Sequence, residues 1–178
     1  QIACNYDAAC VFNSNDEHFI GAAALSGLIQ HYKLESLLDV GCGTGRSLLY
    51  LRKHHPIMQL KGVEPVVALR EVAISKGLSE VEIADGDACK LDFPDCSFDC
   101  VTAFGVLHHI PNPAQAIQEM KRVARRAIFI SDHNVYGMGS VATKSIKQMF
   151  RDFGLKGVLK LMLTRGKGYH DTNWDGIF

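Results

Sequence analysis

Three acids, three glycines and a pair of histidines carry the chemistry that this sequence offers. Gly41, Gly43 and Gly45 form a GxGxG loop, and Asp39 stands two residues before it. Glycine serves where the backbone turns with positive φ or where a ligand touches the main chain. A carboxylate beside such a loop would repel a pyrophosphate and attract a ligand that carries an ammonium and a sulfonium. The spacing also departs from the GxGxxG of a dinucleotide loop. A second reading of Asp39 is local: its carboxylate caps the loop by accepting from the loop's own N–H groups. Glu64 follows Gly45 by 19 residues, where a carboxylate at a strand end accepts two hydrogen bonds from ribose hydroxyls. Asp87 and the Ala88 N–H offer an acceptor and a donor that match the amino group and a ring nitrogen of adenine. The same stretch, Asp85-Gly86-Asp87-Ala88, is also an ordinary turn that needs no ligand. His108 and His109 supply imidazole, which titrates near pH ~6.5 and can take a proton from a substrate.

These residues need elements that bring them together. Ser36 to Val40 reads as a short buried strand. The glycine loop follows at once, then a helical run from Ser47 through Leu51 that Pro56 stops. Strand, glycine turn and helix open a doubly wound α/β fold. Leu60–Glu64, Val81–Ala84, Asp99–Phe104 and Ala127–Ile130 read as further strands. Helices are expected from Pro65, in its first turn, to about Gly77, and from about Ala114 to Ala124. Another, from about Ser14 to Tyr32, precedes the first strand, with Phe19, Ile20, Ala23, Leu28 and Ile29 near one side. Residues 140–163 read as one or two helices, and Trp174 to Phe178 as the start of a last strand. In an open α/β sheet ligands sit at the carboxyl ends of the strands, which puts His108 and His109 near the reaction.

The chain has 178 residues, enough for one domain with a full core. No apolar run is long enough to span a membrane, and no secretory leader pattern is present. The first residue is Gln1, so upstream sequence is expected to be missing. Six cysteines without a CxxC pair read as reduced thiols of a cytoplasmic protein, with no metal site. The net charge is zero. Acids predominate in residues 1–120 and bases in 121–170. That asymmetry is assigned to solvated helix faces and not to a nucleic-acid partner.

Taken together, LLDVGCGTGR (37–46), VEP (63–65), GDA (86–88), LDFPDCSFD (91–99) and GVLHHI (105–110) resemble the class I S-adenosylmethionine-dependent methyltransferases. The resemblance is to the small-molecule, methyltransferase type 11-like branch, and it covers most of residues 36–132. It implies an α/β, doubly wound, Rossmann-like sheet, mostly parallel, with helices on both faces and strands in the order 3-2-1-4-5-7-6. The seventh strand is antiparallel, and the final hairpin strand is missing from this chain. One domain is expected over residues 1–178: an N-terminal helical cover (1–35), a cofactor-binding core (36–132), and C-terminal helices with the start of the last hairpin (133–178). The resemblance assigns S-adenosylmethionine to Asp39, Gly41, Cys42, Gly43, Gly45, Glu64, Pro65, Asp87, Ala88, Phe104 and Leu107. Gly41, Gly43 and the Asp39 region meet its methionine end, Glu64 the ribose, and Asp87 with Ala88 the adenine. Phe104 and Leu107 flank the methionine part.

The implied reaction is methyl transfer to an oxygen or nitrogen of a small-molecule acceptor, with His108 or His109 as general base and His133 as a further candidate. The chain has Ile110-Pro111-Asn112-Pro113-Ala114 where DNA, RNA and glutamine amide N-methyltransferases carry Asn/Asp-Pro-Pro-aromatic. Only Asp132 is placed for the carboxylate cluster of metal-dependent O-methyltransferases. Two rival readings remain. One is an NAD-dependent oxidoreductase or epimerase, which Glu64 also suits, although no tyrosine has lysine four residues later. The other is a non-catalytic nucleotide-binding protein of the same fold.

Overall fold

Strand β1 (Ser36–Val40) is buried at every position. Its neighbours are parallel strands, which are covered on both faces and therefore read as continuous apolar runs. A computed structural model describes residues 17–132 and supplies the other elements. Helix α1 (Glu17–Tyr32) precedes β1, followed by α2 (Arg46–His54), β2 (Gln59–Val63), α3 (Val67–Ser75) and β3 (Ile83–Ala84). The chain then crosses to β4 (Phe98–Phe104), α4 (Pro113–Val123) and β5 (Ala124–Ser131). All pairings are parallel and the order is β3-β2-β1-β4-β5. This agrees with the expected order over the five strands described. The residues expected to form the last helices and strands, 133–178, lie outside the described residues.

Successive side chains of a strand point to opposite faces. Leu37 and Cys100 accordingly pack with Leu25, Ile29, Leu48 and Leu51 on one side of the sheet. Leu38, Val40, Val101 and Ala103 pack with Ala116, Met120 and Val123 on the other. Helices α1 and α2 therefore cover one face and α4 the other. The direction of winding reverses between β1 and β4, and a crevice opens at the carboxyl ends of strands at such a reversal.

Several boundaries differ from the sequence reading for local reasons. Helix α3 starts at Val67 and not at Pro65, because Val66 is extended and its N–H donates to Glu64 Oε1 at 3.0 Å. Strand β3 is shorter than expected because Ser79 to Glu82 form a closed turn, with the Ser79 N–H donating to Glu82 Oε2 at 2.8 Å. Strand β5 begins at Ala124, directly after α4, without an intervening loop. In α1 the buried side chains are Ala22, Leu25 and Ile29, while Ile20, Ala23 and Leu28 face outward. That helix is apolar nearly all round, so its pattern does not single out a face. Among the described residues no helix is long and apolar enough to cross a membrane.

Two contacts hold the scaffold beneath the crevice. The Arg122 guanidinium donates to Leu91 O, Phe93 O, Asp95 and Glu119, fastening the segment before β4 to α4. Gly62 of β2 lies directly under the loop after β1. A Cβ there would sit 2.6 Å from Cys42 Sγ and 2.8 Å from Leu48 Cδ1. Gly62→Ala is expected to destabilise the protein by about 1–3 kcal/mol, the usual range for overpacking. Urea unfolding reads this directly, and an unchanged midpoint would contradict the close approach.

Candidate active site

The loop between β1 and α2 turns through three glycines of positive φ: Gly41 at 67°, Gly43 at 54° and Gly45 at 74°. Its N–H groups are largely committed inside the protein. Those of Gly41 and Cys42 donate to Val63 O, and that of Gly45 to Cys42 O. The Gly43 N–H donates to Glu64 Oε2 at 2.9 Å. A pyrophosphate held by a glycine loop depends on such donors at a helix N-terminus. Here one of them points at a carboxylate instead. Among the described residues, a Cβ added to Gly43 would meet no atom within 4 Å.

Asp39 lies beneath the loop and is only 1% exposed. It accepts from Ser47 Oγ at the start of α2 and from Thr102 Oγ1, its register partner on β4, the latter at 2.8 Å. Side-chain hydroxyls thus occupy both carboxylate oxygens, where the local reading expected loop N–H groups. Burial raises its pKa from 3.8 to about 6, against the opposing hydrogen bonds from Ser47 and Thr102. Cys42 is also buried. Desolvation, reinforced by the charges of Asp39 and Glu64, holds its thiol well above the ordinary range. It packs as a neutral group.

Glu64 is buried at the end of β2, 3% exposed. Each carboxylate oxygen accepts one backbone N–H, from Gly43 and from Val66. A carboxylate has about four acceptor positions, and these two backbone donors fix its orientation at the end of β2. Pro65, the next residue, is exposed. Asp87 is exposed in the loop after β3, and its Oδ1 accepts the Cys89 N–H at 2.8 Å, which fixes the carboxylate in a local turn. Ala88 is half-buried.

At the tips of β4 and β5 the chain brings together residues that are distant in sequence. Asp132 Oδ1 lies 2.5 Å from His108 Nδ1, and its Oδ2 accepts the Leu107 N–H at 2.7 Å. The Gly105 N–H donates to Ser131 O, joining the same two tips. The His108 and His109 rings lie 3.8 Å apart between centroids. Leu107 is buried on the α4 face. Phe104 turns to the opposite face, against Phe129 and next to Gly21 of α1. Asp132 as the partner of His108 was missed in the sequence. Its position just past β5 was the available signal, but nothing local connects it to a residue 24 positions earlier. His133 lies outside the described residues.

A family model described as "Methyltransferase domain" matches residues 38–129, just over half of the chain. The chain belongs to this family, within the class I S-adenosylmethionine-dependent methyltransferases. It is 37% identical over 97 residues to ajmaline N-methyltransferase of Rauvolfia serpentina, which covers 52% of this chain and 33% of that protein. It is 39% identical over 97 residues to a probable chloroplastic tocopherol O-methyltransferase of Oryza sativa subsp. japonica, covering 52% and 26%. The crystal structure of YcgJ from Bacillus subtilis superposes with a TM-score of 0.57 at 29% identity, over 65% of this chain and 51% of that one. The chain thus matches a quarter to a half of the length of these proteins.

The Asp39 carboxyl has a testable signature. Its folded pKa of about 6 exceeds the value of 3.8 it has without burial. Between those values the native state binds more protons, so its contribution to stability falls as pH rises through that window. The loss amounts to about 3 kcal/mol, complete above the folded pKa. Asp39→Asn keeps a polar group that both hydroxyls can meet and removes the buried charge. The variant is expected to gain stability relative to the parent as pH rises from 4 to 7, measured by thermal unfolding at each pH. A constant difference would refute the shift.

Proposed function

We propose that this chain transfers a methyl group from S-adenosylmethionine to a small-molecule acceptor. The observation that carries the donor's identity is the Glu64 carboxylate bonded to the Gly43 N–H. It sets negative charge in the glycine loop, where a dinucleotide would need its pyrophosphate bound. A phosphate-free adenosine compound with a positive charge suits that arrangement, and family membership supports the same donor. The residues present fit it. Glu64 takes the ribose hydroxyls, and Asp87 with the Ala88 N–H takes the adenine edge. Gly41 and Gly43 let the main chain approach the methionine part, and Gly45 leaves room for Leu78 behind the loop. Asp39 acts through its charge from beneath the loop, since its oxygens are engaged by Ser47 and Thr102.

When bound, the donor supplies a methyl group already activated on a sulfonium. The chain's part is to align the acceptor with it in a dry crevice, which can lower a barrier by ~7–11 kcal/mol. His108 adds base catalysis. Its Nδ1 is paired with Asp132 Oδ1, and in the tautomer that donates from Nδ1 the basic nitrogen is Nε2. A hydroxyl acceptor would lose its proton to Nε2 as its oxygen attacks the methyl carbon. An unprotonated amine would not need this step. The pairing with Asp132 therefore favours an oxygen acceptor, although the relatives carry both O- and N-methyltransferase names. His109, its ring tilted against that of His108, shapes the same wall.

Calorimetric titration with S-adenosylmethionine and with NAD tests the donor. Saturable binding of the first alone is expected, and binding of NAD alone would overturn the proposal. Glu64→Ala removes two ribose hydrogen bonds to a charged group and is expected to weaken donor binding about tenfold or more. Unchanged affinity would remove Glu64 from the site. With a hydroxyl acceptor, His108→Ala is expected to lower kcat about 100-fold or more and to erase the acidic limb of the pH–rate profile. With an amine acceptor kcat would change little. A wild-type profile from His108→Ala would show that the base lies elsewhere.

A further inference from the structure

Arg70 of α3 takes no part in the mechanism above, yet it joins two of the segments that the mechanism needs. Its Nη1 donates to the Glu64 carbonyl oxygen at 2.5 Å and to Asp85 Oδ1 at 2.7 Å. Glu64 follows β2, and Asp85 opens the loop after β3 that carries Asp87 and Ala88. The β2–β3 ladder is short: only Gly62 with Ile83 and Val63 with Ala84 are paired. Its last backbone hydrogen bond runs from the Glu64 N–H to Ala84 O at 3.1 Å. Beyond that point Arg70 bridges the two tips. Its side chain is 18% exposed, against 74% for Asp85, so the guanidinium is held from the protein side. Both bonds leave one nitrogen of a planar guanidinium, whose orientation is more restricted than that of an ammonium.

We propose that Arg70 is a positioning residue for the nucleoside half of the donor. It sets the separation between Glu64, at the ribose, and the Asp87–Ala88 turn, at the adenine. The inference rests on the donor reading above. Neither Arg70 nor Asp85 touches the ligand in this scheme, so the clamp acts only through the spacing of groups that do. A small misplacement of paired recognition groups is costly because both must be met at once.

The test is calorimetry with S-adenosylhomocysteine and with adenosine, well below each variant's unfolding midpoint. Arg70→Ala is expected to weaken both ligands by the same factor, about tenfold. Asp85→Ala, at an exposed site that leaves the fold intact, should weaken both by a smaller common factor. The double variant should lose no more than Arg70→Ala alone, because both changes open one clamp. Arg70→Lys should fall between parent and alanine. Parent-like affinity of Arg70→Ala or of Asp85→Ala, even with a lowered midpoint, would reduce the contact to a structural one and overturn the inference. So would losses that multiply in the double variant. A parent protein that binds neither ligand would overturn the donor reading itself, and the clamp's role with it.

Discussion

The crevice depends on one carboxylate. Glu64 captures the Gly43 N–H on one side and the Val66 N–H on the other. The first bond ties the glycine loop of β1 to the end of β2. The second keeps the chain extended past Pro65 and delays α3 to Val67. A buried carboxylate must be paired or hydrogen-bonded to persist, and two backbone donors meet that need before any ligand arrives. The acid is therefore oriented in advance. The same bond underlies the proposed preference for a phosphate-free donor: a loop N–H that would serve a phosphate already serves a carboxylate.

Asp39 shows the opposite balance. Its position beneath the loop costs stability, because desolvation outweighs the two hydroxyls that contact it. A carboxylate retained in so unfavourable a place is consistent with use of its charge, since shifted groups gather at functional sites. The surrounding sheet offsets the cost. Thr102 is held opposite by strand register, and Ser47 is buried at the start of α2. The acid thus links the first strand, the fourth strand and the second helix.

The fold by itself does not choose an acceptor, since such scaffolds carry many reactions on variable loops. Under the proposed function the acceptor meets the tips of β4 and β5. There Asp132 uses both oxygens, one for the Leu107 N–H and one for His108. The loop after β4 and the imidazole are consequently fixed by the same side chain. Orientation of a histidine through its second nitrogen is the usual means of making the first one reactive.

Much of this was legible in the linear chain. The buried run at Ser36–Val40, the GxGxG loop and the strand-end acid at Glu64 are local patterns, and local patterns follow from backbone sterics and hydrophobic periodicity. With the motifs at 86–88, 91–99 and 105–110 they carried the family resemblance, and the resemblance implied the strand order found through β5. Other features were decided only in three dimensions. The buried face of α1 was chosen by the sheet, because its sequence is apolar nearly all round. Asp39 met Thr102 through parallel register, 63 residues away. His108 met Asp132 because β4 and β5 end side by side. A sequence specifies which groups exist and how often they recur along an element, whereas pairing across strands depends on where the whole sheet brings their ends.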